Sequence, residues 1–323
     1  MKKLIIGGVV AVALLLMAAG YYVRHGWTAN GPAAQPVEVL IPPGSSLSKA
    51  ARVLEKAGAL RSADQFLTFA RVLGSDAAIQ AGEYEVPAKA SPSEILALLQ
   101  SGKTLQRFVT VPEGTPSILV YERLMAEPRL SGPVDVPAEG SVLPDSYSFQ
   151  RGETRAAVLA RMQKAMDETL AKLWAARKPG IAVSSPREAV ILASVVEKET
   201  GVPSERRTVA GVYTNRLKQG IPLQADPTVI YPVTRGKPLG RRILRSELNA
   251  NNGYNTYAMA GLPAGPIANP GREAIAATLD PAPTRAIFFV AKGDGGHVFA
   301  ETLAEHNANV QRWYAIRRAR GEM

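Results

Sequence analysis

"SSPREAVILASVVEKETG", residues 184 to 201, sets two glutamates two positions apart at the end of an apolar run. Ser185, Pro186 and Glu188 form a capping-box start, with serine at the cap, proline at the first helical position and glutamate three residues after the cap. Gly201 supplies a stop, so a helix is predicted over residues 186 to 200. Successive helical residues lie about 100° apart, which puts Glu197 and Glu199 on nearly opposite faces. Three, four and seven positions before Glu199 stand Val196, Val195 and Leu192; before Glu197 stand Ser194, Ala193 and Val190. Glu199 therefore continues the more apolar stripe, one turn from the helix end. A dry flank and the negative end of the helix dipole both push a carboxyl pKa upward. A glutamate protonated near neutral pH is what general acid catalysis requires. The bland alternative is a frayed helix end whose glutamate reaches water or pairs with an arginine.

Around this helix the pattern is mixed. Upstream, residues 153–177 read as a helix; downstream, 205–220 read as another. Residues 221–271 are rich in Pro, Gly and Asn, and a helix (272–279), an apolar strand (285–291), the turn "KGDGGH" and a basic C-terminal helix follow. Nearer the N-terminus, "VEVLIPPGSS" (37–46) reads as a strand and turn. Helices at 47–60, 64–74 and 91–102 and a strand at 81–86 complete a small module. Residues 108–124 repeat its opening in outline: Ile41-Pro42-Pro43-Gly44-Ser45 lines up with Val111-Pro112-Glu113-Gly114-Thr115. Two copies are a repeat and not a solenoid, and Pro-x-Gly is also a common turn. Helices and strands without regular βαβ alternation indicate an α+β fold.

The totals bound the function classes. The chain has 323 residues, 46% of them apolar and 20% charged, and no cysteine. Disulfide frameworks and cysteine-based sites are excluded. The net charge is +10, but the basic residues are scattered and no nucleic-acid motif accompanies them. No nucleic-acid partner is expected. Residues 4–23, "LIIGGVVAVALLLMAAGYYV", follow Lys2 and Lys3, carry no charge and close at Arg24. About 20 such residues cross a bilayer as a helix, and Tyr21 and Tyr22 stand where an interfacial aromatic belt lies. A cleaved signal peptide has a shorter apolar region and a small-residue cleavage site, so an uncleaved anchor with a cytoplasmic N-terminus is favoured. Residues 26–36 read as a short tether.

Three long strings, residues 191–231, 254–271 and 293–307, together with "LPDSYSF" (143–149) and the single anchor, resemble the membrane-anchored endolytic murein transglycosylases, the YceG-like family. One departure is "GLPAG" (261–265), where the family commonly has a second proline. The resemblance implies an N-terminal transmembrane helix, a small LysM-like α+β module and a larger α+β catalytic domain. It implies boundaries of 1–25 for the anchor, 26–36 for the linker and 37–106 for the LysM-like module. A connecting β-turn-α segment (107–152) and the catalytic domain (153–319) follow.

The implied activity is a lyase's: cleavage of peptidoglycan strands internally, between N-acetylmuramic acid and N-acetylglucosamine, leaving a 1,6-anhydro end. The family's catalytic residue, the second glutamate of V-E-K-E-T, falls on Glu199, where the helix pattern had already led. Ordinary glycosidases use two carboxyl groups about 5–9.5 Å apart. In the implied mechanism one suffices: Glu199 protonates the leaving oxygen, then takes the proton of the substrate's own C6 hydroxyl, while the acetamido group stabilises the oxocarbenium-like centre. No metal or organic cofactor is implied. Gln224, Asp226, Thr228, Tyr254, Asn255, Tyr257 and Asn269 are the expected substrate contacts, although Asp-Pro and Asn-Pro-Gly are also good turn formers. Glu205 and Asn215 are expected to tie helices together. His297 and His306, with Glu301 and Glu305 nearby, match no zinc spacing.

The implied setting is the cell (inner) membrane, with most of the chain periplasmic or otherwise extracytoplasmic. Nascent glycan strands are the expected partner, and synthases or division proteins are open candidates. The positive charge suits both the peptide carboxylates of the wall and an anionic membrane surface. Two other readings stay open: a non-catalytic peptidoglycan-binding scaffold, and a hydrolase using Glu199 with Asp226 or Glu205.

Overall fold

The computed structural model describes residues 2–322 and divides them into two compact units, Met1–Arg107 and Phe108–Met323. The fold is α+β throughout, as expected.

In the first unit, α1 (Lys2–Thr28) is followed by β1 (Val37–Ile41), α2 (Leu47–Lys56), α3 (Ala63–Leu73), β2 (Gly82–Val86) and α4 (Pro92–Ser101). Within α1, Ile6–Thr28 has a mean hydropathy of 2.1 and an exposed apolar window, so it is long and apolar enough to cross a membrane. That fits a single-pass anchor. β1 and β2 pair antiparallel from Val37↔Val86 to Ile41↔Gly82. Their inward residues Val39, Ile41 and Tyr84 meet Leu54, Phe66, Ile95 and Leu99 in one core. Ser91 and Glu94 form the full reciprocal capping box at the start of α4.

The tether expected over residues 26–36 is packed instead. The helix runs on to Thr28, and Trp27 is buried with its ring 6.0 Å from that of Phe66. Gly31 N–H donates to the Lys89 carbonyl and Lys89 N–H to that of Ala33. A Cβ on Gly31 would lie 2.3 Å from the Ala90 carbonyl oxygen, so only glycine permits this approach. Local composition suggested flexibility; burial of one large aromatic ring outweighs it.

In the second unit the order is β3 (Arg107–Thr110), α5 (Ser117–Ala126), β4 (Ser146–Phe149), α6 (Arg155–Ala175) and α7 (Pro186–Glu199). It continues with α8 (Arg206–Lys218), α9 (Asp226–Thr234), α10 (Arg245–Leu248), α11 (Arg272–Leu279), β5 (Phe288–Ala291), β6 (His297–Ala300) and α12 (Leu303–Ala319). β3 pairs with β4, and β5 with β6 as an antiparallel hairpin. The segment 107–152 is more than a connection: Val109, Val120, Leu124, Val142 and Phe149 share a core with Val158 and Met162 of α6. The second core surrounds α7, where Leu192, Val195 and Val196 meet Val209 and Tyr213 of α8 and Ile275 of α11.

The repeated turn recurs in three dimensions. Gly44 and Gly114 both have φ +71°, and Ser45 N–H and Thr115 N–H donate to Pro42 and Pro112 respectively. Each turn leads a strand into a helix. α9 was not legible in its Pro-rich stretch, because Pro227 and Pro232 both fall within its nine residues. Burial of Thr228 and Val229 holds it.

Candidate active site

α7 begins and ends slightly differently from expectation. Ser185 accepts the Glu188 N–H as a cap should, but the Glu188 carboxylate accepts from Ser184 N–H and Oγ, both at 2.7 Å, one residue before the cap. At the other end Gly201 is not the left-handed stop. Thr200 is already extended (φ −133°) and buried, and its hydroxyl accepts the Val202 N–H. Ala189 through Val196 are all buried, so α7 crosses the core and surfaces only in its first and last turns.

The two glutamates of that turn diverge. Glu197 is spent on structure: its Oε2 accepts the N–H of Gly271, the cap of α11, at 2.9 Å, and its Oε1 faces Arg206 at 3.8 Å. Glu199 is different. Its Oε1 is shielded from solvent with no hydrogen-bond partner, although the residue as a whole is half-buried. Burial, then the negative charge of Asp226, pushes its carboxyl up to about 7; the Tyr213 hydroxyl and the Arg216 charge oppose that rise. An acid of this kind keeps a substantial protonated fraction near neutral pH on a side chain that can still be reached.

Tyr213 and Arg216 lie three residues apart on one face of α8, both buried. The Tyr213 hydroxyl lies near enough to the Glu199 carboxyl to favour its charged form. Arg216 donates to the carbonyls of Ile287, Pro222 and Leu223 at 2.6–3.0 Å and to Gln224 Oε1 at 3.3 Å. It thereby pins the loop that delivers Asp226. Sequence reading missed both residues. The available signal was an arginine on the buried stripe of a helix, a position that needs a polar purpose.

Replacing Tyr213 with phenylalanine removes a hydroxyl that favours the charged form of Glu199. The alkaline limb of any Glu199-dependent rate is expected to move to higher pH, with the sign fixed by the lost hydroxyl. A pH–rate profile checks this; a downward move is the contrary result.

The seven expected contact residues separate by burial. Gln224, Asp226 and Tyr257 are exposed, and the last two adjoin Glu199: Tyr257 Oη donates to Asp226 Oδ1 at 2.7 Å, and Asp226 raises the Glu199 pKa. Gln224 sits at φ +51°, a costly conformation for a side-chain-bearing residue, and is held there by its N–H bond to the Thr256 carbonyl. Tyr254 is half-buried, its ring 5.0 Å from that of Tyr231.

Three expectations are corrected: Thr228, Asn255 and Asn269 are 0% exposed. Thr228 Oγ1 donates to the Ala225 carbonyl or shares a proton with Thr256 Oγ1, and it accepts the Thr256 N–H. Asn255 Nδ2 donates to the Leu248 and Ala250 carbonyls, and its Oδ1 accepts the Tyr257 N–H. Asn269 accepts from Val142 N–H and donates to the Thr115 carbonyl and Ser117 Oγ. Polar side chains in turn-rich segments were read as facing a ligand; backbone groups inside the fold claim them.

Glu205 and Asn215 do join elements. The Glu205 carboxylate accepts the His297 N–H and contacts its Nδ1 at 2.8 Å, and Asn215 Nδ2 donates to Thr284 and Ala286. His306 stacks on Phe288, away from His297. Among the described residues no group of three or more His, Asp or Glu side chains is arranged to hold a metal.

The molecule is thus an α+β protein with an N-terminal apolar helix and a shielded carboxyl of raised pKa beside an exposed polar strip. Comparison with known proteins gives the family. The YceG-like family model matches residues 39–312, and the chain belongs to that family. A Bacillus subtilis (strain 168) protein named endolytic murein transglycosylase is 28% identical over 309 residues, covering 86% of this chain and 84% of its own. A Streptococcus pneumoniae (strain D39) protein of the same name is 27% identical over 93% of this chain, which spans 63% of that relative's length. The crystal structure of a YceG-like protein from Listeria monocytogenes superposes with a TM-score of 0.52 at 26% identity, covering 85% of this chain and 99% of that one.

Proposed function

We propose that the chain is an endolytic peptidoglycan lytic transglycosylase, a lyase anchored by α1 with its N-terminus cytoplasmic and its two folded units on the outer side of the inner membrane. The family and the names of the relatives support this reading. The observation that carries it is the shielded, unpartnered Oε1 of Glu199 beside the Asp226–Tyr257 pair.

Glu199 gives its proton to the glycosidic oxygen joining N-acetylmuramic acid C1 to the departing sugar, and the C1–O bond breaks. The Asp226 carboxylate, held by Tyr257, supports the positive charge developing at C1. Glu199, now a carboxylate, takes the proton of the C6 hydroxyl as O6 closes onto C1. The acid is regenerated and no water is consumed. Gln224, Tyr257 and the open edge of Tyr254 are the proposed sugar contacts. The LysM-like reading of residues 37–106 adds a second point of hold on the strand.

A hydrolase is the second reading, and the nearness of Asp226 to Glu199 favours it. Glu205 suits that partnership less, its carboxylate being engaged by His297. Mass spectrometry of digested peptidoglycan separates the two. Anhydro ends, lighter by one water than reducing ends, are expected; reducing ends alone would identify a hydrolase, and no new ends a scaffold.

A further inference from the structure

Next to Glu199, at the exposed position 198, stands a lysine with no direct ion pair or side-chain hydrogen bond among the described residues, although its charge is felt by Glu197. It lines a cavity of about 440 Å³ with the repeated turn at Gly114–Pro116, Leu119 of α5, Pro227, Ile230 and Tyr231 of α9. The elements that present the acid and its anionic neighbour, the end of α7 and the start of α9, also form this cavity. The turn is rigid: its Thr115 carbonyl accepts from buried Asn269, and Ser117 N–H donates to Glu139. Gly114 runs alongside the lysine stem, a Cβ position there lying 3.4 Å from Lys198 Cδ. The other lysine of the cavity, Lys237, is paired with Glu122 at 2.6 Å. One cation without a direct ion pair, its nearest anionic influence being the charge of Glu197, therefore faces a largely apolar lining.

We propose that this cavity receives the carboxylate-bearing peptide carried on the muramic acid residue of the substrate, with Lys198 as its counter-ion. The inference rests on the proposed function and makes the enzyme selective for peptide-bearing strands. The chemistry fits on two counts. A short peptide offers small apolar side chains to Leu119, Ile230 and the prolines, and carboxylates to the lysine. The volume lies in the range of ligand pockets, about 300–1,000 Å³, and far exceeds what a bare lactyl carboxylate would fill.

The test compares kcat/KM of the full-length protein on glycan strands carrying peptides and on the same strands after amidase treatment, which leaves the lactyl carboxylate in place. The wild type is expected to prefer peptide-bearing strands by about fivefold or more, the worth of one partly exposed ion pair. Lys198→Glu is expected to bring that ratio near one, and Lys198→Arg to restore it. An unchanged ratio in Lys198→Glu, or no preference in the wild type, overturns the proposal. Binding of a soluble N-acetylmuramyl peptide, followed by NMR, gives a readout independent of turnover. It is expected for the wild type and lost in Leu119→Trp, which fills the cavity. If the wild type cleaves neither strand, the transglycosylase reading fails; the peptide titration then decides the cavity by itself, and no binding overturns it.

Discussion

Glu199→Gln is expected to lower the rate of glycan cleavage by about 10²- to 10⁴-fold, the range general acid–base catalysis supplies. Glutamine keeps the shape and an acceptor oxygen but has no proton to give to a leaving oxygen. Glu197→Gln is expected to retain most activity, because its amide oxygen still accepts the Gly271 N–H and only the longer contact with Arg206 is weakened. Cleavage assays on the two variants decide between them, and the reverse pattern would move the acid to Glu197.

The glutamine at 199 also carries a stability signature. The folded protein raises this carboxyl from 4.5 to about 7, so between those values the native state holds a proton that the unfolded chain releases. Stability attributable to Glu199 is therefore full at low pH and falls as pH rises through that window. At 1.36 kcal/mol per pH unit the cost approaches about 3 kcal/mol above pH 7. Glu199→Gln escapes it. Urea unfolding is expected to show equal stability below about pH 4.5 and a variant increasingly more stable than wild type toward pH 7; a constant difference at all pH values would refute the shift.

Asn269→Leu is expected to destabilise the second unit by about 2–3 kcal/mol. Leucine matches the size of asparagine but makes none of its bonds. The Val142 N–H would be stranded in the core, at about 1–3 kcal/mol, and Ser117 Oγ would lose a donor; the Thr115 carbonyl would lose one of two donors and keep the backbone N–H of residue 269. This side chain joins the β3–α5 turn, the loop before β4 and the segment entering α11, three places far apart in sequence. Chemical denaturation measures the effect, and a loss under about 1 kcal/mol would show that water or a neighbour satisfies the freed groups.

Local patterns carried much of this. The cap at Ser185 and the apolar run behind it were enough to place α7 and to single out Glu199, because a helix of period 3.6 fixes which neighbours a side chain meets. The Gly44 and Gly114 turns were visible as a repeat, and both adopt the same left-handed geometry. The apolar span was legible from length and hydropathy alone.

What the sequence determined by itself, then, is whatever depends on neighbours within two turns or one strand: the helices, the caps, the apolar span and the face on which Glu199 lies. Tertiary structure alone decided that Trp27 docks the end of α1, and that Pro-rich residues 226–234 form a helix. It alone turned Thr228, Asn255 and Asn269 inward, and brought Tyr213, Arg216 and Asp226 to one carboxyl. The reason is physical. A polar side chain in a turn satisfies its hydrogen bonds with whichever backbone groups the fold brings near, and those partners lie up to 154 positions away.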